Sequence, residues 1–326
     1  MAVGRAFGTF GELLQGALPD DGPEFLVTFP IDAWSTATLC LCEAHDGLTV
    51  SPPHKTKALA VVRRVMAAAG RAVGAHLELR SDLPEGKGMA SSSADLVATA
   101  RAVAAGLGVV QTPAHIEAAL RGVEPSDGVM YPEVVAFYHR EVRLRQRLGA
   151  LPPAAVIGHD RGGQVDTIAF NSRPHAFPPE DRVEYARLLA RLVDAVRAGD
   201  LAEVGRVTTR SAELALRGDR TARLRTLREV CRRVDGLGLV LAHSGTMLGV
   251  LLPADEPDLA AKAEVVRAVA GGAVTVHHSL PARGRREPHE TRNARPDTHR
   301  RTVRGEGAGW FTQSRPEAFG GRGGAS

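Results

Sequence analysis

The sequence predicts an α+β fold in which strands and helices pack as two layers around a core. Its 326 residues are 44% hydrophobic and 24% charged, which is the balance of a soluble globular protein. Strand-like and helix-like segments follow one another in mixed order, without the regular alternation that builds a parallel sheet, and no internal repeat is present. We therefore expect one large or two ordinary domains.

The first half of the chain combines short strands with helices. Apolar runs bounded by Asp, Gly and Pro predict strands, whereas apolar residues at three- and four-residue spacing predict helices. The predicted strands are Glu24–Pro30, Ser35–Glu43 and Ala75–Arg80. The predicted helices are Thr56–Ala69, about Ser92–Gly106, and Pro113–Gly122, which opens with a proline at a position that the first helical turn tolerates.

The second half places three helices between two groups of strands. Its predicted strands are Ala154–His159, Val165–Phe170, Gly238–His243, Met247–Leu252 and Ala273–His278. Its predicted helices are Glu180–Ala198, Leu201–Leu216, Ala222–Val234 and Asp258–Ala270. A boundary near residues 148–153 divides the folded part into domains spanning residues 1–150 and 151–281.

The net charge of +4 belongs to the C-terminal segment. Residues 282–326 contain 10 Arg, no Lys and 5 acidic residues, a net charge of +5, which leaves about −1 for residues 1–281. With eight Gly and three Pro and no periodicity, residues 282–326 are predicted to be a disordered tail. The neutral body argues against a nucleic-acid partner, although such a tail leaves open a regulator that binds RNA or a nucleotide without catalysis.

The sequence favours a cytoplasmic protein without a membrane partner. No window offers the roughly eighteen apolar residues of a membrane span, and residues 1–11 do not resemble a signal peptide. Three cysteines, Cys40, Cys42 and Cys231, form neither a disulfide framework nor a complete zinc site, so we expect reduced thiols. The oligomeric state stays open.

The segment between the strand ending at Arg80 and the next helix has the character of a phosphate-binding loop. Gly86 and Gly88 let the backbone turn close to a ligand, and residues 91–93 place three serines at a helix N-terminus, which favours an anion. Serine hydroxyls there can also ligate Mg²⁺. The alternative is an ordinary serine-rich helix cap, and the segment is not a Walker A motif.

Residues 84–94, PEGKGMASSSA, resemble the P-x-x-x-G-L-G-S-S-A-A signature of the GHMP kinases, with Met89 and Ala90 in place of Leu and Gly. The resemblance implies that the loop wraps the phosphates of ATP and that a serine binds Mg²⁺, with Ser92 preferred over Ser91. It also implies two domains, an N-terminal one like ribosomal protein S5 that binds nucleotide and a ferredoxin-like C-terminal one. The implied nucleotide-binding residues are Pro84, Gly86, Lys87, Gly88, Met89, Ala90, Ser91, Ser92 and Ser93.

Two further segments resemble GHMP motifs in the family's order. Residues 8–16, GTFGELLQG, resemble the first motif, which helps to bind the substrate, and residues 241–249, LAHSGTMLG, resemble the third. The residues implied to contact the substrate are Gly11, Glu12, Gln15, His243, Ser244 and Gly245. Glu12 and Gln15 are candidates for the ammonium or the carboxylate of an amino acid, with a turn-capping role as the alternative for Glu12.

Four short segments together resemble the GHMP kinases that act on L-threonine. They are GELLQG (residues 11–16), KGMASSSAD (87–95), EPSD (124–127) and AHSG (242–245). That resemblance implies ATP-dependent formation of O-phospho-L-threonine for the aminopropanol arm of cobalamin synthesis. The alternatives are homoserine or a mevalonate-type alcohol. Homoserine kinases usually carry Asn where a catalytic Asp would stand, so Asp127 argues against that branch.

Two carboxylates in the EPSD segment are the candidate catalytic groups. Phosphoryl transfer needs Mg²⁺, positioning and a group that accepts the hydroxyl proton. We assign Glu124 to Mg²⁺ and Asp127 to the acceptor hydroxyl as base or orienter. Glu117 is a rival metal ligand, because several family members carry the metal-binding Glu on the preceding helix. An ordinary Asp-capped turn is the alternative for the segment.

Overall fold

A computed structural model of the chain describes residues 1–19, 22–42, 47–160, 162, 177–216, 221–242 and 247–281. Within them the chain forms ten strands and seven helices. The strands are β1 (Ala2–Gly16), β2 (Phe25–Cys42), β3 (Leu48–Ser51), β4 (Gly74–Ser81), β5 (Val134–Tyr138), β6 (Arg143–Gly149), β7 (Ala154–Asp160), β8 (Gly238–Leu241), β9 (Met247–Pro253) and β10 (Ala273–His278). The helices are α1 (Thr56–Ala68), α2 (Ser91–Leu107), α3 (Pro113–Leu120), α4 (Pro179–Ala198), α5 (Leu201–Ala215), α6 (Thr221–Arg233) and α7 (Leu259–Ala270).

All ten strands belong to one sheet. Its main order is β10-β7-β9-β8-β1-β2-β4-β3, and β5 branches from β2 to pair with β6. The pairing is antiparallel except between β3 and β4. Within the described residues, β1 pairs with β8 where Glu12 lies opposite Leu241. The first strand therefore connects the N-terminal strands to the C-terminal ones.

A bend in β1 lies at this junction. Register shifts interrupt its pairing with β2 between Thr9 and Glu12 and again between Glu12 and Leu14. Gly11 has a φ of +56°, and a Cβ atom there would lie 2.4 Å from the carbonyl oxygen of Leu241. Bulges of this kind turn a side chain away from the direction that regular pleating gives it. The two shifts therefore reorient Glu12.

Helix α2 packs on β1 and β2 and carries the residues that follow the glycine loop. Its buried face consists mostly of small side chains, which allow a close approach to the strands. Five phenylalanines are completely buried in the core: Phe7, Phe10, Phe25, Phe29 and Phe137. Burial of each such side chain stabilises the fold by about 1.5–3 kcal/mol.

The α+β class and the two-domain arrangement are confirmed, but several elements differ from the sequence predictions. The predicted strands Glu24–Pro30 and Ser35–Glu43 are one continuous strand, because β2 pairs with β1 on both sides of a register shift at Asp32 and Ala33. Strands β1, β3, β5 and β6 were not predicted. The predicted strand Val165–Phe170 and the tail at residues 282–326 lie outside the described residues, and the domain boundary near residue 150 stays a prediction.

No helix in the described ranges is long and apolar enough to span a membrane.

Candidate active site

The glycine loop has the backbone that its sequence predicts. Gly86 and Gly88 have φ angles of +70° and +74°, and Ala90, immediately before α2, has a φ of +57°. Left-handed backbone costs a non-glycine residue of the order of 1 kcal/mol, so the fold must hold Ala90 in place. Helix α2 begins at Ser91, one residue earlier than the sequence predicts. Its free N–H groups make this end suited to an anion.

Strand β1 fixes the inner side of the loop. The amide of Thr9 donates a hydrogen bond to the carbonyl oxygen of Met89, and the amide of Gly11 donates one to that of Gly88, both at 3.2 Å. These bonds place the first motif against the phosphate-binding loop. Residues nearly 80 positions apart in the chain are thereby brought to one site.

A cluster of charges fixes the outer side of the loop. Lys55 pairs with Glu85 and with the buried Asp95, each at 2.6 Å, and Ser35 donates a hydrogen bond to the other oxygen of Asp95. Burial alone lowers the pKa of Lys55, but its hydrogen bonds to the two carboxylates outweigh burial and raise it. Lys55 is therefore a cation that ties the loop to α2.

Ser92 and Glu124 form the first of two contacts between α2 and the EPSD segment. The Ser92 hydroxyl donates to Oε1 of Glu124 at 2.5 Å. The other carboxylate oxygen, Oε2, accepts a hydrogen bond from Lys57 of α1. The side chain of Glu124 is only 8% exposed, so it stays beside Ser92. The structure thus brings together the serine and the glutamate that the sequence analysis assigns to Mg²⁺, and oxygen ligands of this kind suit a hard cation.

Ser93 and Asp127 form the second contact. The Ser93 hydroxyl donates to Oδ2 of Asp127 at 3.1 Å and accepts a hydrogen bond from the amide of Asp127 at 3.2 Å. Burial raises the pKa of Asp127 to about 6; the hydrogen bond from Ser93 lowers it, whereas the charge of Glu124 raises it. Asp127 is consequently able to accept a proton near neutral pH.

Glu12 is close enough to Asp127 to feel its charge. Its side chain is 4% exposed, and its Oε2 atom has no hydrogen-bond partner within the described chain. Burial and the charge of Asp127 hold the pKa of Glu12 well above its usual range. The sequence analysis names Glu12 as a residue that contacts the substrate, but it does not predict that Glu12 is buried.

Glu117, the rival metal ligand, is engaged elsewhere. Its Oε1 accepts hydrogen bonds from the Tyr131 hydroxyl at 2.7 Å and from the amide of Leu144 at 3.0 Å. Burial and the Glu117 carboxylate raise the pKa of Tyr131. These contacts give Glu117 a structural role between α3 and β6.

The other predicted site residues either contact parts of the chain away from the two serine–carboxylate pairs or lie outside the described residues. Lys87, expected at a phosphate, pairs with Asp160 at 2.6 Å across to β7. The backbone amide of Gln15 donates to the hydroxyl of Ser211 in α5. His243, Ser244 and Gly245 lie outside the described residues.

Lys55 and Lys57 are site residues that the sequence analysis missed. Both stand at the start of α1, where the positive end of the helix dipole disfavours cations. This local conflict is the signal that could have revealed them, because such conflicts concentrate at functional sites.

The residues present fit a magnesium nucleotide. Ser92 and Glu124 supply hard oxygen ligands beside a helix N-terminus with free N–H groups. The described chain has no cluster of three or more His, Cys, Asp or Glu that could hold a metal ion. Mg²⁺ usually requires one or two carboxylates and takes its other ligands from water and substrate phosphates, so this small ligand set suffices.

Comparison with known proteins finds family matches that include the glycine loop and helices α1, α2 and α3. Residues 56–127 match the family described as GHMP kinases N terminal domain, and residues 192–271 match GHMP kinases C terminal. The L-threonine kinase of Salmonella typhimurium is 27% identical over 275 residues, which cover 80% of this chain and 86% of that protein. The homoserine kinase of Pyrococcus furiosus is 26% identical over 211 residues, which cover 61% of this chain and 71% of that protein.

Solved structures show the same fold. The mevalonate kinase of L. major in complex with R-mevalonate superimposes with a TM-score of 0.64 at 14% identity, over 86% of this chain and 96% of that one. The homoserine kinase of Cytophaga hutchinsonii gives a TM-score of 0.62 at 16% identity, over 86% and 95%. The phosphate-binding loop joins β4 to α2, and family matches fall in both halves of the chain. The chain therefore carries the N-terminal and C-terminal domains of the GHMP kinases, which use ATP to phosphorylate small alcohols.

Proposed function

We propose that this GHMP kinase transfers the γ-phosphoryl group of ATP to the side-chain hydroxyl of L-threonine, with ADP and O-phospho-L-threonine as products. One observation supports it above the others: adjacent hydroxyls of α2, Ser92 and Ser93, hold the Glu124 and Asp127 carboxylates side by side. A metal-binding group and a proton acceptor therefore stand together at the helix N-terminus that receives phosphate.

The loop and the start of α2 bind the nucleotide in this proposal. The N–H groups at the start of α2 would bind the phosphates, and Ser92 and Glu124 would hold Mg²⁺. When bound, Mg²⁺ neutralises charge on the phosphate oxygens. Lys57 keeps Glu124 in position through its ion pair. Lys87 remains a proposed phosphate contact, although it pairs with Asp160 in this structure.

Asp127 acts on the acceptor. The threonine hydroxyl oxygen forms a bond to the γ-phosphorus while the bond from that phosphorus to the β,γ-bridging oxygen breaks and ADP leaves. Asp127 orients the hydroxyl and accepts its proton, then releases it to solvent. Ser93 fixes the carboxylate through two hydrogen bonds, so that little reorganisation is needed during transfer.

The acceptor is the part of the proposal that depends most on the comparisons. Two L-threonine kinases, from Salmonella typhimurium and Citrobacter freundii, match 80% and 79% of the chain. Contacts to the substrate from Gly11, Gln15 and residues 243–245 are proposed from the motif resemblance. A role in the aminopropanol arm of cobalamin synthesis, a cytoplasmic location and the lack of a nucleic-acid partner are proposed with it. Homoserine is the second candidate, because two homoserine kinases also match.

A screen of acceptors tests the proposal. The purified chain is incubated with MgATP and L-threonine, L-serine, L-homoserine or mevalonate, and ADP release is measured. We expect the largest kcat/KM with L-threonine and a modest reduction with L-serine, since one methyl group is worth about 1–3 kcal/mol. Turnover of homoserine without turnover of threonine would contradict the threonine assignment and make homoserine the acceptor. If no alcohol is turned over, the result would favour a non-catalytic regulator.

A further inference from the structure

Glu12 is placed in the site by the backbone of β1. The register shifts on both sides of it and the left-handed Gly11 interrupt the regular pleating of the strand. The amide of Gly11 is bonded to the carbonyl oxygen of Gly88, so Glu12 directly follows the contact between β1 and the phosphate-binding loop. A bulge beside an active site typically serves to direct a side chain.

The Glu12 carboxyl group lacks the partner that burial demands. Its side chain is 4% exposed, and Oε2 forms no hydrogen bond in the part of the chain that the structure describes. In the same part, no Lys, Arg or His forms an ion pair with Glu12 or with Asp127. A buried carboxylate left alone costs several kcal/mol more than one that is paired with a cation and hydrogen-bonded. A bound cation would therefore supply the partner that the Glu12 carboxylate lacks.

We propose that Glu12 determines acceptor specificity by binding the α-ammonium group of an amino-acid substrate. The inference deepens the proposed function and rests on it. An α-ammonium carries three N–H donors on a compact positive centre, which suits an unpaired carboxylate oxygen. In threonine the ammonium and the hydroxyl stand on adjacent carbons. An acceptor whose hydroxyl meets Asp127 consequently presents its ammonium to a neighbouring acid, and Glu12 is the buried one.

A metal ion fits this place less well than an ammonium. Ca²⁺ and Mg²⁺ require about six or more oxygen ligands, and the described residues hold no cluster of three or more His, Cys, Asp or Glu suited to a metal ion. An ammonium needs only a few acceptors and can use the backbone and the substrate's own pocket for the rest. Binding of the cation would also favour the ionised form of Glu12, which burial now disfavours.

The experiment compares acceptors with and without the amino group. Wild-type protein and the Glu12→Gln variant are assayed with MgATP and L-threonine, L-threonine methyl ester or (R)-3-hydroxybutanoate, which is threonine without its nitrogen. Glu117→Gln is the matched control, because it makes the same change at another buried glutamate. Titration calorimetry of L-threonine in the presence of MgADP gives a binding readout independent of turnover.

We expect the wild type to favour L-threonine over (R)-3-hydroxybutanoate by about 10⁴-fold, because a site built for a polar group rejects an analogue that lacks it. Glu12→Gln should reduce this ratio at least 10-fold, chiefly by raising the KM of the two amines, and should weaken L-threonine in calorimetry. Glu117→Gln should keep the wild-type ratio. An equal loss with all three acceptors, or an unchanged ratio, would overturn the assignment.

The same design separates this inference from the proposed acceptor. If the protein phosphorylates L-homoserine and not L-threonine, the threonine assignment fails, and the comparison of L-homoserine with 4-hydroxybutanoate tests Glu12 in the same way. If the preferred acceptor has no amino group, as with mevalonate, both proposals fail. If no acceptor turns over, absence of amino-acid binding in calorimetry contradicts the Glu12 assignment, whereas Glu12-dependent binding supports it.

Discussion

Ser92 donates its hydroxyl hydrogen bond to Oε1 of Glu124 at 2.5 Å, although 32 residues separate the two in the chain. The contact joins the start of α2 to the EPSD segment and brings together the two oxygen ligands that we assign to Mg²⁺. The neighbouring Ser93 makes the corresponding contact with Asp127. Each carboxylate therefore has its own serine on the same helix turn.

Ser92→Ala and Glu124→Gln should weaken the use of MgATP. Each change removes one of the two assigned oxygen ligands, and loss of even an outer partner that orients a metal ligand typically costs about 10–100-fold in affinity. We expect the KM for MgATP and the Mg²⁺ concentration for half-maximal rate to rise by at least about 10-fold. Steady-state kinetics over a Mg²⁺ series measures both. Glu117→Gln should leave these values near wild type; a larger effect from Glu117→Gln than from Glu124→Gln would reverse the metal assignment.

Asp127→Asn should lower kcat while nucleotide binding is retained. The amide cannot accept the hydroxyl proton, and general bases contribute about 10²–10⁴-fold to rate. The variant keeps the side-chain shape and its contact with Ser93. Calorimetric titration with a non-hydrolysable ATP analogue checks that binding persists, and single-turnover kinetics measures the loss. Near-wild-type turnover would remove Asp127 from the proton transfer.

The raised pKa of Asp127 also predicts how stability depends on pH. The group ionises at 3.8 in its reference state and at about 6 in the folded chain. Unfolding therefore releases a proton between these values, and stability falls as pH rises from about 4 to about 6. The cost above pH 6 is at most about 3 kcal/mol, because each pKa unit is worth about 1.4 kcal/mol.

Asp127→Asn removes this cost, so the variant should be more stable than wild type at pH 7.5 by about 1–3 kcal/mol and nearly equal to it at pH 4. Urea denaturation at the two pH values tests this. A variant that is less stable at pH 7.5 would show that the carboxylate contributes favourable interactions that outweigh its burial.

Gly11→Ala should destabilise the fold and detach β1 from the loop. An alanine there has left-handed backbone, and its Cβ would lie 2.4 Å from the carbonyl oxygen of Leu241. We expect a loss of at least about 2 kcal/mol. Gly70→Ala is the control, because Gly70 has a φ of +64° but no atom within 4 Å of the added Cβ. Gly70→Ala should lower the free energy of unfolding by only about 1 kcal/mol, which is the cost of left-handed backbone. Equal melting temperatures for the two variants would contradict close packing of Gly11 against Leu241.

The parts of the site that could be predicted are those written in consecutive residues. The glycine loop, the serines at the start of α2 and the EPSD carboxylates depend on residue types at fixed short spacing, and the structure brings Ser92 to Glu124 and Ser93 to Asp127. Lys57 and the burial of Glu12 were not predicted, because they depend on contacts between elements far apart in the chain.

The missed strands have a physical reason as well. Residues 6–14 of β1 are buried without interruption, because neighbouring elements cover both faces of the strand, so the alternating pattern of a half-exposed strand is missing. Four glycines in that strand, Gly4, Gly8, Gly11 and Gly16, weaken its strand propensity further. Strand β6 alternates poorly, since its residues are mostly half-exposed, and four of its seven residues are Arg or Gln.

Identification of the phosphorylated product tests the central claim most directly. The wild type and Asp127→Asn are incubated with MgATP and L-threonine, and the products are followed by ³¹P NMR with mass spectrometry of the amino acid. The account predicts one equivalent of O-phospho-L-threonine per ADP from the wild type and a rate reduced by about 10²–10⁴-fold in the variant. ADP accompanied by inorganic phosphate, with L-threonine unchanged, would contradict it.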